Sequence, residues 1–100
     1  MNFNSKCYSI LKKVPRGKVT TYGELAKAAG SPSAARAVGN AMNKNPYAPK
    51  VPCHRVVGSD GKLVGFASGV DEKVKMLKKE GVEIVNGKVD LEKYFYSLKN

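Results

Sequence analysis

Three prolines, Pro46, Pro49 and Pro52, crowd the stretch from Asn45 to Pro52 in the middle of the chain. Each fixes φ and lacks an amide hydrogen, so neither a helix nor a sheet ladder can run through this segment. It reads as a rigid loop, and regular structure must lie on either side of it. On the N-terminal side the pattern is helical. Phe3, Cys7, Ile10, Leu11 and Val14 form one stripe of a helix over about Asn4 to Lys13, with Cys7 as a packing group on it. Pro15-Arg16-Gly17 ends that helix, and Lys18 to Thr20 is a short extended connector. Thr21-Tyr22-Gly23-Glu24 has the spacing of a capping box and opens a helix to about Ala29, stopped by Gly30. Ser31-Pro32 opens the next helix, with Ser31 as N-cap, running to Asn43. That helix is dense in small residues: Ala34, Ala35, Ala37, Gly39 and Ala41. Two short helices joined by a tight turn make residues 21–43 a helix-turn-helix candidate.

Beyond the proline loop, turns and small hairpins dominate. Arg55-Val56-Val57 and Lys62-Leu63-Val64 flank Gly58-Ser59-Asp60-Gly61 as a hairpin, followed by a small-residue loop from Gly65 to Gly69. A helix over Asp71 to Lys79 is stopped by Gly81. Val82 to Val85 and Lys88-Val89 flank the favoured hairpin turn Asn86-Gly87. Asp90 caps a last helix that carries Leu91, Tyr94, Phe95 and Leu98. With 100 residues the chain is expected to form one domain, residues 1–100. The expected class is α/β but mostly helical, winged helix-turn-helix-like, with short β-hairpins.

Charge narrows the partner. Residues 1–55 hold ten basic side chains against one acid, Glu24, for a net +9, whereas residues 56–100 hold eight basic and seven acidic, for a net +1. Solubility does not require such segregation; a polyanion does, because clustered Lys and Arg release condensed counterions from phosphates. Nucleic acid is the expected partner. No apolar run approaches the roughly 20 residues needed to span a bilayer. Met1 to Lys12 lacks the pattern of a signal peptide, so no membrane role and an intracellular location (cytoplasm and nucleoid, or nucleus) are expected.

The two cysteines, Cys7 and Cys53, fall in no metal-type or redox-pair spacing, so no metal site is expected and both should be reduced thiols. Their contexts differ. Cys53 follows the rigid loop in Pro52-Cys53-His54-Arg55, beside the chain's single histidine. Thiolate is the nucleophilic form of cysteine, and a basic imidazole or nearby cation favours it. Sequence neighbours seldom face each other, so contact between imidazole and sulfur would pass through a water, with an acid elsewhere to orient the ring.

Pro52-Cys53-His54-Arg55-Val56-Val57 resembles the active-site motif of the O6-alkylguanine-DNA alkyltransferase family. Arg36-Ala37-Val38-Gly39 and Asn45-Pro46 lie upstream at the family's spacing. Gly17-Lys18-Val19 and Thr21-Tyr22 resemble the entry to its helix-turn-helix, and Gly61 to Phe66 and Glu80-Gly81 continue the likeness. The resemblance covers about Tyr8 to Val85, the family's C-terminal DNA-binding domain. It implies a protein that acts on double-stranded DNA containing O6-alkylguanine, as a monomer and without a cofactor. The alkyl group would move irreversibly to Cys53, one lesion per protein. By the same resemblance His54 is the base through a water, Glu80 orients His54, and Tyr22 donates a hydrogen bond to the flipped guanine. Asn45 is the hinge between the helix-turn-helix and the active-site loop at 45–55. Arg36 fills the gap in the base stack, Thr21, Ala35 and Ala37 lie against DNA, with the alanines allowing close approach in the minor groove, and Val56 and Ser68 line the substrate pocket. The chain departs from the family in reading Ala67-Ser68-Gly69 where a glycine pair is common, and the family's N-terminal domain is expected to be absent. A rival reading is an alkyltransferase-like damage sensor that binds without repairing. Such relatives replace the cysteine, commonly with tryptophan, so Cys53 favours repair. A further rival, a thiol hydrolase using Cys53, His54 and Glu80, has no use for a basic half.

Overall fold

The computed structural model describes residues 2–63 and 69–98. Helix α1 (Phe3–Leu11) opens where the Asn2 side chain accepts from the Ser5 amide at 2.8 Å. It ends short of Lys13. Strand β1 (Thr20–Thr21) leads directly into α2 (Tyr22–Ala28), and α3 (Ala35–Asn43) packs on both α1 and α2. A single 3₁₀ turn, Cys53–Arg55, precedes β2 (Val56–Val57). Helix α4 (Val70–Lys79), the hairpin β3 (Ile84–Val85) and β4 (Lys88–Val89), and the short α5 (Leu91–Tyr94) follow.

Several local expectations are corrected. Half of the capping box forms: Thr21 Oγ1 accepts from the Glu24 amide at 3.0 Å. The Glu24 carboxylate does not reach back to residue 21. It accepts instead from the Leu98 amide at 2.8 Å and the Ser97 hydroxyl at 3.4 Å, so the chain's C-terminal segment is tied to the start of α2. Ser31 does not cap α3. Its carbonyl accepts from the Ala34 amide, which puts Pro32 and Ser33 at the corners of a turn, and α3 begins at Ala35 with no side-chain cap. That turn, after Gly30 at φ 86°, brings α3 back onto α2.

The hairpin expected around Gly58–Gly61 does not form as such. Its turn exists, with the Gly58 amide bonding the Lys62 carbonyl, but Val56–Val57 pairs in parallel with Thr20–Thr21. The return limb pairs elsewhere: Leu63 N–H donates to Gly87, Val89 N–H donates to Gly61, and Lys62 bridges Lys88. Val64 and the loop with Ser68 lie outside the described residues. A parallel pair needs a long crossover, and α2, α3 and the proline loop supply it. The Asn86-Gly87 hairpin forms as expected, with both residues left-handed at φ 53° and 73°. The last helix stops at Tyr94 instead of carrying Phe95 and Leu98. There the backbone turns extended and pairs with the edge of β1, through Val19 N–H to Tyr94 and Tyr96 N–H to Val19.

The β1–β2 pair separates two apolar clusters, and the period-two alternation of a strand assigns successive valines to each. Val56 joins Cys7, Leu11, Leu25, Val38 and Leu98 under α1–α3. Val57 joins Val19, Leu63, Leu77, Val82, Val89 and Tyr94 beneath α4 and the hairpin. The whole is mostly helical with short strands, as the class read from sequence requires. Among the described residues, no helix is long and apolar enough to cross a membrane.

Gly61 locks the second cluster. It sits at φ 86°, and a Cβ there would overlap the Val89 carbonyl oxygen. Gly30 shares φ 86° but has open space where a Cβ would go. Gly61→Ala should therefore lower unfolding stability by about 3 kcal/mol or more. Gly30→Ala should cost only the left-handed backbone penalty of about 1–2 kcal/mol. Denaturant midpoints of the two variants check this; equal losses would mean the Gly61–Val89 approach is not what fixes the turn.

Candidate functional site

The loop that delivers Cys53 is held by one side chain. Asn45, just beyond α3, donates from Nδ2 to the Val51 carbonyl at 2.8 Å, and its Oδ1 accepts from the Tyr47 amide at 2.9 Å. The Tyr47 carbonyl accepts from the Val51 amide, and the Val51 carbonyl also accepts from Cys53. One carboxamide thus spans the loop from entry to exit. Val51 and Pro52 are buried, and Cys53 leaves the loop 5% exposed as a residue. Cys7, in the first core, is at 0%. Both thiols are free of disulfides.

Residues 54 and 55 meet Glu80, which follows the last turn of α4. His54 Nε2 lies 2.9 Å from Glu80 Oε2. Arg55 donates to the same carboxylate from Nε at 2.9 Å and Nη2 at 2.7 Å, and from Nη1 to the Val14 carbonyl at 2.8 Å. Burial pushes the Glu80 carboxyl up, but hydrogen bonds from Arg55 and His54 outweigh it and hold the group below its ordinary value. Burial pushes His54 down, and the Glu80 bond and charge only partly oppose it. The imidazole is therefore neutral at neutral pH, although it is placed as in an ion pair. An ionised carboxylate only accepts, so the ring proton sits on Nε2 and Nδ1 carries the lone pair. His54 bonds Glu80 and not the adjacent sulfur, as expected for sequence neighbours.

A second pair lies within electrostatic reach of Cys53. Lys73, on α4, is 0% exposed. Its Nζ donates to the Tyr22 hydroxyl at 3.4 Å and stands 5.6 Å from the ring centroid. Burial pushes Lys73 down to about 8, and a charge on Cys53 pulls the other way. Burial and the same cysteine push Tyr22 up to about 12, so it stays a phenol and a proton donor. Sequence reasoning missed Lys73, which sits among Lys75, Lys78 and Lys79 in a basic helix. The signal was its register: Val70, Lys73, Val74 and Leu77 occupy one helical stripe, so this lysine falls on the packed face.

Tyr22 also borders an open groove of about 590 Å³ with Gly23 of α2 and Ala35, Arg36, Gly39 and Asn40 of α3. Arg36 is exposed there, Ala37 is half-buried, and Thr21 is buried at the end of β1. Val56 is fully buried in the same cluster as Cys53. Ser68 lies outside the described residues. Among the described residues, no group of three His, Cys, Asp or Glu side chains could hold a metal ion.

Two helices in helix-turn-helix arrangement, a small wing-like hairpin and a thiol at their junction define a winged-helix-like DNA-binding domain built around one cysteine. The chain belongs to the 6-O-methylguanine DNA methyltransferase family, whose DNA binding domain matches residues 2–82. It is 54% identical over 79 residues to a methylated-DNA–protein-cysteine methyltransferase of Methanosarcina acetivorans, covering 79% of this chain and 51% of that protein. It is 45% identical over 93 residues to a bifunctional methyltransferase/endonuclease of Picrophilus torridus, covering 93% of this chain and 31% of that one. The chain thus spans about half the length, or less, of these relatives. Among solved structures it resembles S. pombe Atl1 in complex with damaged DNA containing O6-carboxymethylguanine. There the TM-score is 0.86 at 37% identity, over 95% of this chain and 94% of that one. It also resembles Mycobacterium tuberculosis OGT in complex with DNA, with TM-score 0.77 and 44% identity over 80% and 50% of the two chains.

His54 is the chain's single histidine, so its titration can be followed without ambiguity. By NMR its ring should titrate below the ordinary 6.5, because burial dominates. Glu80→Gln removes the influence that opposes burial, so the midpoint should move further down. An upward movement would show that Glu80 does not stabilise the imidazolium and that the pair is misassigned.

Proposed function

We propose that this protein repairs O6-alkylguanine in double-stranded DNA by irreversible transfer of the alkyl group to Cys53. The observation that carries the reading is that two sets of groups stand about Cys53, one next to it in the chain and the other close enough for a charge on the sulfur to act on it. One is the neutral His54 held by Glu80; the other is the phenol of Tyr22 backed by the Lys73 ammonium. The first set removes a proton from sulfur, and the second supplies one to the leaving base.

O6 of a stacked guanine cannot reach a sulfur buried at the head of the 3₁₀ turn, so the nucleotide must leave the stack, at a cost of about a few kcal/mol. Arg36, exposed on α3, enters the stack in its place, while the small Ala35 and Ala37 beside it let α3 approach the duplex through the minor groove, and Thr21 acts from behind them as the cap of α2. In the flipped state the Cys53 proton passes through a water to His54 Nδ1. The sulfur attacks the alkyl carbon in line, a carbon–sulfur bond forms, and the carbon–oxygen bond breaks. Its electron pair goes to the guanine ring, which takes a proton from Tyr22 as Tyr22 takes one from the Lys73 ammonium; the imidazolium and the lysine amine then re-equilibrate with solvent. The product is unmodified guanine and a thioether that water does not hydrolyse. The protein therefore acts once, as a monomer and with no cofactor. Asn45 keeps the loop that carries Cys53 in register with α3.

A second reading is favoured by one observation. The Atl1 likeness extends over nearly the whole of both chains, whereas the methyltransferase likenesses cover about half of each relative. In that reading the protein binds the lesion without repairing it, and Cys53 is what argues against it.

Intact mass after incubation with O6-methylguanine duplex DNA separates the two. One methyl should appear, on the peptide containing Cys53, and Cys53→Ser should abolish transfer while still binding DNA. No mass change, or a methyl on Cys7, would overturn the repair assignment.

Arg36 gives a separate test. Arg36→Ala should slow single-turnover transfer from saturating duplex DNA far more than transfer from free O6-benzylguanine, which needs no flipping. Arg36→Lys keeps the charge but not the planar fork, so it should restore binding better than flipping. Equal slowing of both substrates would make Arg36 part of the pocket instead.

A further inference from the structure

Five asparagines of this chain have defined structural work, or lack it, in ways that separate them. Asn2 caps α1, Asn45 spans the proline loop, and Asn86 occupies the left-handed corner of the hairpin. Asn40 and Asn43 differ from all three. Both are exposed, both line the groove beside Tyr22 and Arg36, and among the described residues neither carboxamide bonds within the protein. Their register is Arg36, Asn40, Asn43, at spacings of four and three residues, so all three share one face of α3. Gly39 lies within this face, and a Cβ there would meet nothing within 4 Å. The backbone of α3 can therefore come close to whatever fills the groove.

Carboxamides carry information that the basic residues do not. Arg36 and the lysines only donate hydrogen bonds, whereas Asn presents two donors and one acceptor oxygen. In the minor groove of DNA, A·T and T·A pairs offer acceptors alone, and only a G·C pair adds a donor, the guanine N2 amino group. An asparagine pressed against a minor groove is satisfied at both ends only beside G·C. Along a helix rising about 1.5 Å per residue, Asn40 and Asn43 stand roughly 6 and 10 Å from Arg36. That is about two and three base-pair steps of 3.4 Å each from the point where Arg36 would enter the stack.

We infer that Asn40 and Asn43 are specificity-determining residues that read the base pairs on one side of the lesion through the minor groove and favour G·C there. The inference rests on the proposed docking of α3 against damaged DNA. It makes the protein context-dependent: the same O6-alkylguanine is engaged better with G·C than with A·T on the side faced by the C-terminal end of α3.

The test uses Cys53→Ser protein, in which binding is separated from transfer. Affinity is measured for O6-methylguanine duplexes whose three base pairs on one side, then on the other, are G·C, A·T or inosine·C. Inosine lacks only the N2 amino group, so the major-groove face is unchanged. On one side G·C should bind about five- to tenfold tighter than A·T, and inosine·C should behave as A·T. In Asn40→Ala/Asn43→Ala the ratio between contexts should fall to one on the same duplexes, which cancels differences in duplex stability. Three results would overturn the inference: equal affinity in all contexts, inosine·C binding like G·C, or a double variant that weakens all contexts alike. The last is the signature of phosphate contacts. Failure to prefer O6-methylguanine over undamaged DNA in any context would instead overturn the proposed function, and this inference with it.

Discussion

The carboxylate of Glu80 is the interaction on which the rest depends. It receives two bonds from Arg55 and one from His54, and Arg55 passes the tie on to the carbonyl of Val14. One side chain thereby joins the end of α4, the turn that carries Cys53, and the segment after α1. With side chains 9% and 15% exposed, Glu80 and Arg55 are largely withdrawn from water. Such a pair adds little net stability over an apolar replacement. Removing one partner, however, strands a buried charge at a cost of about 3–5 kcal/mol. What the pair provides is position: Arg55 neutralises Glu80, and that leaves Glu80 free of protons to orient a neutral imidazole.

Opposite that network, burial is used in a different way. Lys73 is enclosed with its charge directed at Tyr22, and the same enclosure that lowers the lysine to about 8 raises the phenol to about 12. Burial keeps the phenol protonated and loosens the proton of the lysine, so the two form a donor chain in which a proton leaving Tyr22 can be replaced from Lys73. The two pairs come from different elements, α4 with α2 and α4 with the 3₁₀ turn. Helix α4 and the residue that ends it thus contribute to both.

The C-terminal segment contributes more than its position suggests. The family match ends at residue 82, yet Tyr94 and Leu98 fill the two apolar clusters, one each. Glu24, on the helix that begins with Tyr22, takes its hydrogen bonds from Ser97 and Leu98. The strap therefore holds the first turn of α2, and with it the groove edge that Tyr22 forms.

The chemistry was legible in the chain itself. Pro52-Cys53-His54-Arg55 with Arg36, Asn45, Tyr22 and Glu80 in register marked the thiol, its partners and the family. The segregated charge marked the polyanion face. The proline loop and the Asn86-Gly87 turn were equally local, because φ restriction and left-handed residues act on their own backbone. What the tertiary structure decided was every pairing between distant segments. Val56-Val57 could have closed a hairpin with Lys62-Leu63, but Thr20-Thr21 offered a buried parallel partner between two cores. Glu24 could have completed its capping box, but the Leu98 amide and the Ser97 hydroxyl needed an acceptor once Leu98 was buried. Lys73 looked like one more solvated lysine, and only the packing of α4 against Tyr22 and Cys53 placed it within the site. Local sequence sets backbone preference and side-chain chemistry; which buried donor meets which acceptor is settled only when distant segments compete for the same core.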